Sequence, residues 1–517
     1  MNSCRANIRH YHATADVART ANHENHLRVS EIVQHARRYT NELLPIVQIA
    51  LVFLPLIALV AGGIYHAIAL SMLCLGVGLN LTAWCRSRYA TLPLILLISL
   101  QDLLWYGTPL LVDHKSLHEY ADIMILRSGV CLLLYLASMT IARRSIQQRM
   151  SPIHRRTLAL DLSEQNVSGA LKNVLLGGLA ICCILEWMFV TGAIWPYLSK
   201  LPNGSLNVIR TALAAGECGA GFLFAFQWGR GTLPTNSRVL IVFLLVAIIT
   251  ARAASILLSS TVAFIGAILL GAYLGSGRVP WRAITITVLL LGFLNLGKFD
   301  MRGRYWNSPN QTISLSTIPD YFSEWASASG SKLFASSNSD RFTSATGDRG
   351  QSLTERLSNI QILLYVDRAV YQRGYSLLLG ETYRASWHVL VPRVFWPNKP
   401  RSHIGQEILN VHYDRQTRAE TFRTYIAWGL VPEAVGNFGL WGGSIFLGVL
   451  LGSSLGWVEQ YTSNLPLFSL PSILACFLMI SLTGSSGMVA GVWVASMLQI
   501  SLILCVGLYP FMRWVRV

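Results

Sequence analysis

Three observations in this sequence predict an all-α integral membrane protein of about twelve spanning helices, with one large loop outside the bilayer between helices 9 and 10. Composition is the first. Of 517 residues, 53% are hydrophobic and 13% charged, which excludes an ordinary soluble enzyme. The second is a series of apolar runs, each long enough to cross a bilayer core as a helix. The third is an interruption. A ninth run ends near Phe299, the next begins near Leu440, and the residues between them are mostly polar, rich in arginine and aromatic side chains. Loops of that size in a compact architecture are usually either functional or unstructured. The insert and the helix ends beneath it are therefore the expected seat of function.

Taken in order, residues 1–42 are polar and carry Arg5, Arg9, Arg19, Arg28, Arg37 and Arg38. They precede the first apolar run, so no cleavable signal peptide of the usual form is expected. They read as a cytoplasmic basic tail that sets orientation. Helices 1–9 are expected within residues 43–299, over 43–63, 64–85, 90–112, 122–142, 172–196, 209–228, 239–256, 259–276 and 283–299. Residues 300–438 form the large loop. Helices 10–12 are expected within 439–510, over 439–457, 465–484 and 488–510, and 511–517 form the C-terminus.

Charge decides the sidedness. Arg86 with Arg88, the stretch from Arg143 to Arg156, Arg230 with Arg238, and Arg278 with Arg282 fall in alternate connections, whereas Asp113–Asp122 is poorer in basic residues. If the basic loops are cytoplasmic, both termini are cytoplasmic and the large loop is extracytoplasmic. Arg513 and Arg516 agree. This distribution accounts for much of the net charge of +16, and no nucleic-acid partner is expected. The lipid bilayer is the expected surrounding.

Nine cysteines (Cys4, Cys74, Cys85, Cys131, Cys182, Cys183, Cys218, Cys476 and Cys505) lie in the tail or in apolar runs and none in the loop. They read as small apolar packing residues. No carboxylates or histidines cluster with metal-ligand spacing, so no metal site and no cofactor is expected. Asp102, Arg127, Glu186, Glu217 and Arg252 fall inside spans and must face the bundle interior or water. Two readings stand: mutual pairing, for example Asp102 with Arg127, or a polar route for a charged substrate or proton. No internal repeat or paired broken helices of the transporter kind is visible.

The loop divides near Gly350. Its first part, including Asn307–Ser323 and Ser327–Gly350, is rich in Ser, Thr, Asn and Gly and is expected to be loose. From Ser352 to about Tyr371, Leu353, Leu357, Ile360, Leu364 and Ala369 recur at nearly helical spacing, with Arg356, Asp367 and Arg368 on other faces. That is an amphipathic helix. Gly380–Arg384 and Leu390–Arg401 follow, the latter with three prolines that forbid a continuous helix and stiffen two aromatics and several cations. Arginine offers planar contacts to phosphate oxygens and lysine a point charge. Trp387 and Trp396 offer flat faces for sugar rings or serve as interfacial anchors. The loop ends in Gly429–Gly439, where Glu433 and Asn437 stand among glycines. Glu433 either acts as general base or pairs with a neighbouring arginine.

At these residues the chain resembles the polytopic O-antigen and oligosaccharide repeat-unit polymerases of bacterial envelopes. The likeness rests on the segment Pro392–Pro400 and on the Glu-x-x-x-Asn-Phe-Gly run Glu433–Gly439. It covers the last third of the chain, the rest being similar in architecture. The resemblance implies a membrane glycosyltransferase, independent of metal, in the bacterial cytoplasmic (inner) membrane. Such an enzyme polymerises polyprenyl-diphosphate-linked oligosaccharide repeat units into O-antigen, capsule or exopolysaccharide at the outer face, alongside a chain-length regulator and flippase of the same pathway. It implies Arg393 as diphosphate ligand, supported by Arg356, Arg384, Lys399 and Arg401. Glu433 is the first candidate base, with His388 and His403 behind it, and Trp396 and Asn437 sit at the substrate. The alternatives are an O-antigen ligase-like transferase and a lipid-linked oligosaccharide flippase or transporter, whose important cations would be Arg127 and Arg252.

Overall fold

A computed structural model describes residues 28–150, 169–198, 200–201, 205–305, 313–334, 358–391, 396, 398–422, 424, 426–482 and 487–515. Among them every regular element is helical, apart from one isolated bridge between Arg28 and Pro466. Among the described residues eleven helices are long and apolar enough to cross a membrane, so this is an all-α, multi-pass membrane protein. Two compact units divide the chain: Met1–Ser163 with Gln351–Val517, and Glu164–Gly350.

The first unit opens with α1, Val29–Gly62, which starts well before residue 43, where the first span was expected. Its early turns are held by buried Val29 and Val33 and by Arg37, which donates to the carbonyls of Cys85 and Ser87. That contact places a cation on the carbonyl end of α2, Ile64–Cys85, where the helix dipole favours it. Gly63, at φ 86°, makes the sharp turn between the two helices.

Next, α3 spans Leu94–Leu111 and contains a π-turn at Leu103–Gly107, directly after Asp102. It is followed by α4, Asp122–Arg149. The second unit consists of α5 (Gly169–Val190), α6 (Ser205–Gly229), α7 (Thr235–Ala254), α8 (Leu258–Ser276), α9 (Trp281–Tyr305) and α10 (Ile318–Phe334). Gly271 and Gly275, four apart on α8, let its backbone meet the carbonyls of Phe222 and Phe226 on α6.

Helix α10 corrects an expectation, because residues 318–334 belong to the serine-rich stretch read as loose. Its small residues let it lie tightly against α9. Trp325 is fully buried and donates to the Leu294 carbonyl at 2.7 Å, and the Gly297 amide donates to Ser329 Oγ at 3.1 Å. One buried tryptophan and an interhelical hydrogen bond outweigh the polar composition.

The first unit then resumes with α11 (Asn359–Tyr371), α12 (Glu381–Ser386), α13 (Ile404–His412), α14 (Leu430–Thr462), α15 (Leu470–Leu482) and α16 (Ala490–Val515). Gly448, Gly452 and Gly456 form a ridge on α14 that presses against Tyr135, Met139 and Arg143 of α4. The expected eleventh span, 465–484, is helical over 13 residues in α15, about 20 Å of rise and short of a bilayer core. Across the α4–α14 seam, Arg143 Nε and Glu459 Oε2 lie 2.6 Å apart. Glu459 also accepts from Thr91 Oγ1 and the Ile95 amide.

Candidate functional site

In the first unit, the site is built around a break in α14. The helix is interrupted at Gly439 (φ 77°, ψ 171°), so the carbonyls of the turn before it have no helical partners. The returning chain supplies them. Leu378 N–H donates to Gly436 O at 3.1 Å and Leu379 N–H to Asn437 O at 2.9 Å. Tyr413 adds its hydroxyl to Gly436 O at 2.6 Å.

Glu433 and Asn437, one turn apart on the same face, then fasten α12. Thr382 Oγ1 donates to Glu433 Oε1 at 2.9 Å and accepts from Asn437 Nδ2 at 2.8 Å. Asn437 Oδ1 accepts from the Gly380 amide at 3.0 Å, where Gly380 begins α12 with φ 90°. The Ala490 amide, at the start of α16, donates to Glu433 Oε2 at 2.6 Å, which places the carboxylate on a helix N-terminus. Both predicted residues are therefore together and fully buried. Among the described residues the partners of Glu433 are a hydroxyl and an amide, not the neighbouring arginine considered from the sequence, and through them it holds α12.

Arg384 is exposed on α12, one turn before Trp387. Trp387 is 58% exposed, and its ring lies 5.8 Å from that of Trp396. His388 is buried behind them, 6.3 Å from Trp396 between centroids. Burial holds its imidazole below the usual value, so it is neutral at pH 7.

Lys399, expected to reach a diphosphate, is buried, and its Nζ donates to the carbonyls of Val389 and Val391. Val389 and Val391 lie at and just beyond the end of the short 3-10 turn Trp387–Leu390, and the ammonium satisfies their carbonyls. Arg401 lies over the Phe422 ring, 3.4 Å from its centroid, and donates to the Thr421 carbonyl. His403 precedes α13, half-buried, with Nδ1 2.8 Å from Gln406 Oε1. Arg356 and Arg393 lie outside the described residues.

Asp367 was read on a face of its helix away from the apolar stripe. It is 1% exposed, and neither carboxylate oxygen has a hydrogen-bond partner. Burial pushes its carboxyl up to about 6, against the opposing field of Arg127. Asp102 interacts with Tyr135, so the Asp102–Arg127 pairing considered from the sequence is replaced by these two separate relations. In the second unit, mutual pairing does hold: Arg252 NH2 lies 2.6 Å from Glu217 Oε2, and its Nε 3.3 Å from Glu186 Oε1.

Sequence reasoning missed Thr382, Tyr413, Arg143 and Glu459. The signal for the first was faint, a threonine two residues after a glycine. The pair Arg143 and Glu459 was hidden because each stands near a predicted helix end. No group of His, Cys, Asp and Glu among the described residues could hold a metal ion. No protein-family model, curated protein or solved structure matches the chain.

Proposed function

We propose that the protein is a membrane glycosyltransferase that polymerises polyprenyl-diphosphate-linked oligosaccharide repeat units. In this reading it lies in the bacterial inner membrane with both termini cytoplasmic and the large loop at the outer face. The single observation that supports it most is the frame holding α12 to α14. Glu433, Thr382 and Asn437 fix, on a membrane helix, a segment that presents exposed Arg384 and the Trp387–Trp396 rings together.

That surface suits a glycan joined to a diphosphate. Ring faces take apolar sugar faces, and a guanidinium takes phosphate oxygens. In the reaction, an acceptor hydroxyl forms a bond to the anomeric carbon of the growing chain. The bond from that carbon to the diphosphate oxygen breaks, and the polyprenyl diphosphate leaves with the electron pair. The hydroxyl proton goes to a base, and the cations of the loop stabilise the departing charge. We assign the base role to His403, half-buried at the start of α13, and the diphosphate to Arg384 together with Arg393. A transporter reading draws less support, since Arg252 is 4% exposed and paired with two glutamates.

The test is elongation by the purified full chain in lipid nanodiscs, using lipid-linked repeat units extracted from cells carrying the gene. Wild-type protein should lengthen the glycan and release polyprenyl diphosphate. Arg384→Ala and Trp387→Ala should each slow elongation by about tenfold or more, a loss of roughly 1.4 kcal/mol of transition-state stabilisation. No elongation by wild type, or full rates in both variants, would remove this reading.

A further inference from the structure

The second unit contains a cavity that plays no part in the site above. One end of α5, the start of α6, the α7–α8 junction and the end of α9 converge on about 470 Å³ of space, within the range of roughly 300–1,000 Å³ usual for small-molecule sites. Glu186 and Arg252 line its floor, and Arg210, Trp195, Phe189 and Tyr305 line its walls.

The charges on that floor are organised. Arg252 is held by Glu217 at 2.6 Å, by Glu186 at 3.3 Å, by the Ser260 carbonyl at 3.0 Å, and against the Phe264 ring at 5.2 Å. Its donors are directed away from any incoming anion. Two carboxylates share this one guanidinium, and one oxygen of fully buried Glu217 has no hydrogen-bond partner. Glu186, 17% exposed, is the carboxylate that faces the cavity. With Arg252 already paired to both glutamates, such a floor has no charge to offer a phosphate and presents carboxyl oxygens to hydroxyl donors.

The walls supply the complementary part. Trp195 is 46% exposed. Arg210 is exposed and lies over Phe189 at 5.1 Å and Trp195 at 6.0 Å, so it offers donors from a fixed planar position. A ligand matched to these groups has several hydroxyls in one plane and an apolar face in the other, with no net negative charge.

We propose that this cavity binds a neutral sugar ring, with its hydroxyls on Glu186 and Arg210 and its apolar face on Trp195. Binding is measured without turnover, so its outcome is separate from that of the transferase reading.

The experiment is saturation-transfer NMR on the purified full chain, with the methyl glycosides of glucose, galactose and mannose as probes and inorganic pyrophosphate as competitor. Wild type should transfer saturation to ring protons of at least one glycoside. Glu186→Gln and Trp195→Ala should each weaken this by on the order of fivefold, and Trp195→Phe should retain most of it. Pyrophosphate should not compete. Thermal unfolding identifies any variant that fails to fold, and either of the two remaining substitutions then decides. Absence of transfer from all three glycosides, or unchanged transfer in folded Glu186→Gln and Trp195→Ala, would overturn the proposal. Displacement by pyrophosphate that disappears in Arg210→Ala would overturn it in favour of an anion site.

Discussion

Arg143 in the first unit and Arg252 in the second are both guanidinium groups held 2.6 Å from a fully buried glutamate. They differ in how the glutamate is finished. Glu459 receives Arg143, the Thr91 hydroxyl and the Ile95 amide. Glu217 keeps an oxygen without a hydrogen-bond partner, and the second carboxylate on Arg252, Glu186, opens onto a cavity. A closed lock of this kind joins helices, whereas an open one leaves capacity for a ligand. The lesson is that an ionisable residue in a membrane helix does not announce a transport route. What counts is whether its hydrogen bonds are already spent.

The closed lock should give the largest effect. Arg143→Ala leaves Glu459 charged and buried without a cation, and should cost about 3–5 kcal/mol in thermal or denaturant unfolding. Replacing both partners, Arg143→Met with Glu459→Leu, should recover most of it. A loss below about 1 kcal/mol for the single variant would show that the lock is not structural.

Asp367 makes a contrast of its own, as a carboxylate with no lock at all. Its folded value of about 6 lies above the ordinary 3.8, so the folded state binds the proton more tightly than the unfolded chain. Stability is therefore greatest below about pH 4 for this group and falls as pH rises to about 6, by roughly 2–3 kcal/mol in total. Asp367→Asn should flatten that part of the pH–stability curve and raise the melting temperature at pH 7. An unchanged curve would mean that Asp367 is not the group responsible.

Thr382 is smaller again. Thr382→Val removes one donor to Glu433 and one acceptor for Asn437, and should cost about 1–3 kcal/mol because both partners are left buried. If unfolding is unaffected while elongation is lost, Thr382 acts at the substrate and not on the frame.

The smallest effect belongs to Glu186→Gln. Glu217 still holds Arg252, so the stability loss should be about 1 kcal/mol or less. A loss as large as that of Arg143→Ala would erase the distinction between the open and the closed lock.

Much of this architecture was legible in the sequence, since apolar runs of bilayer length leave few alternatives. The start of α1 was not, because the turns before residue 43 are polar and gain stability from Arg37 on the end of α2. Nor was α10, where burial of Trp325 against Gly297 and its neighbours is a tertiary effect that composition cannot register. Glu433 and Asn437 stand out together in the Gly429–Gly439 run, and their spacing of one helical turn places both against Thr382. Their partner Thr382 was invisible because it arrives from 51 residues away. Lys399 and Arg401 looked like free cations in a proline-rich segment. Lys399 instead covers the carbonyls of Val389 and Val391, and Arg401 covers the Phe422 ring.

The most direct test of the central claim is the length distribution of envelope glycans in cells lacking the gene, with lipid-linked and polymerised material separated. Complementation with wild type is compared with complementation by the Arg384→Ala/Trp387→Ala double variant. The account predicts accumulation of single repeat units and loss of long chains on deletion, reversed by wild type and not by the double variant. Undisturbed polymer with normal attachment would contradict it, and long polymer left on its lipid carrier would replace polymerisation with ligation.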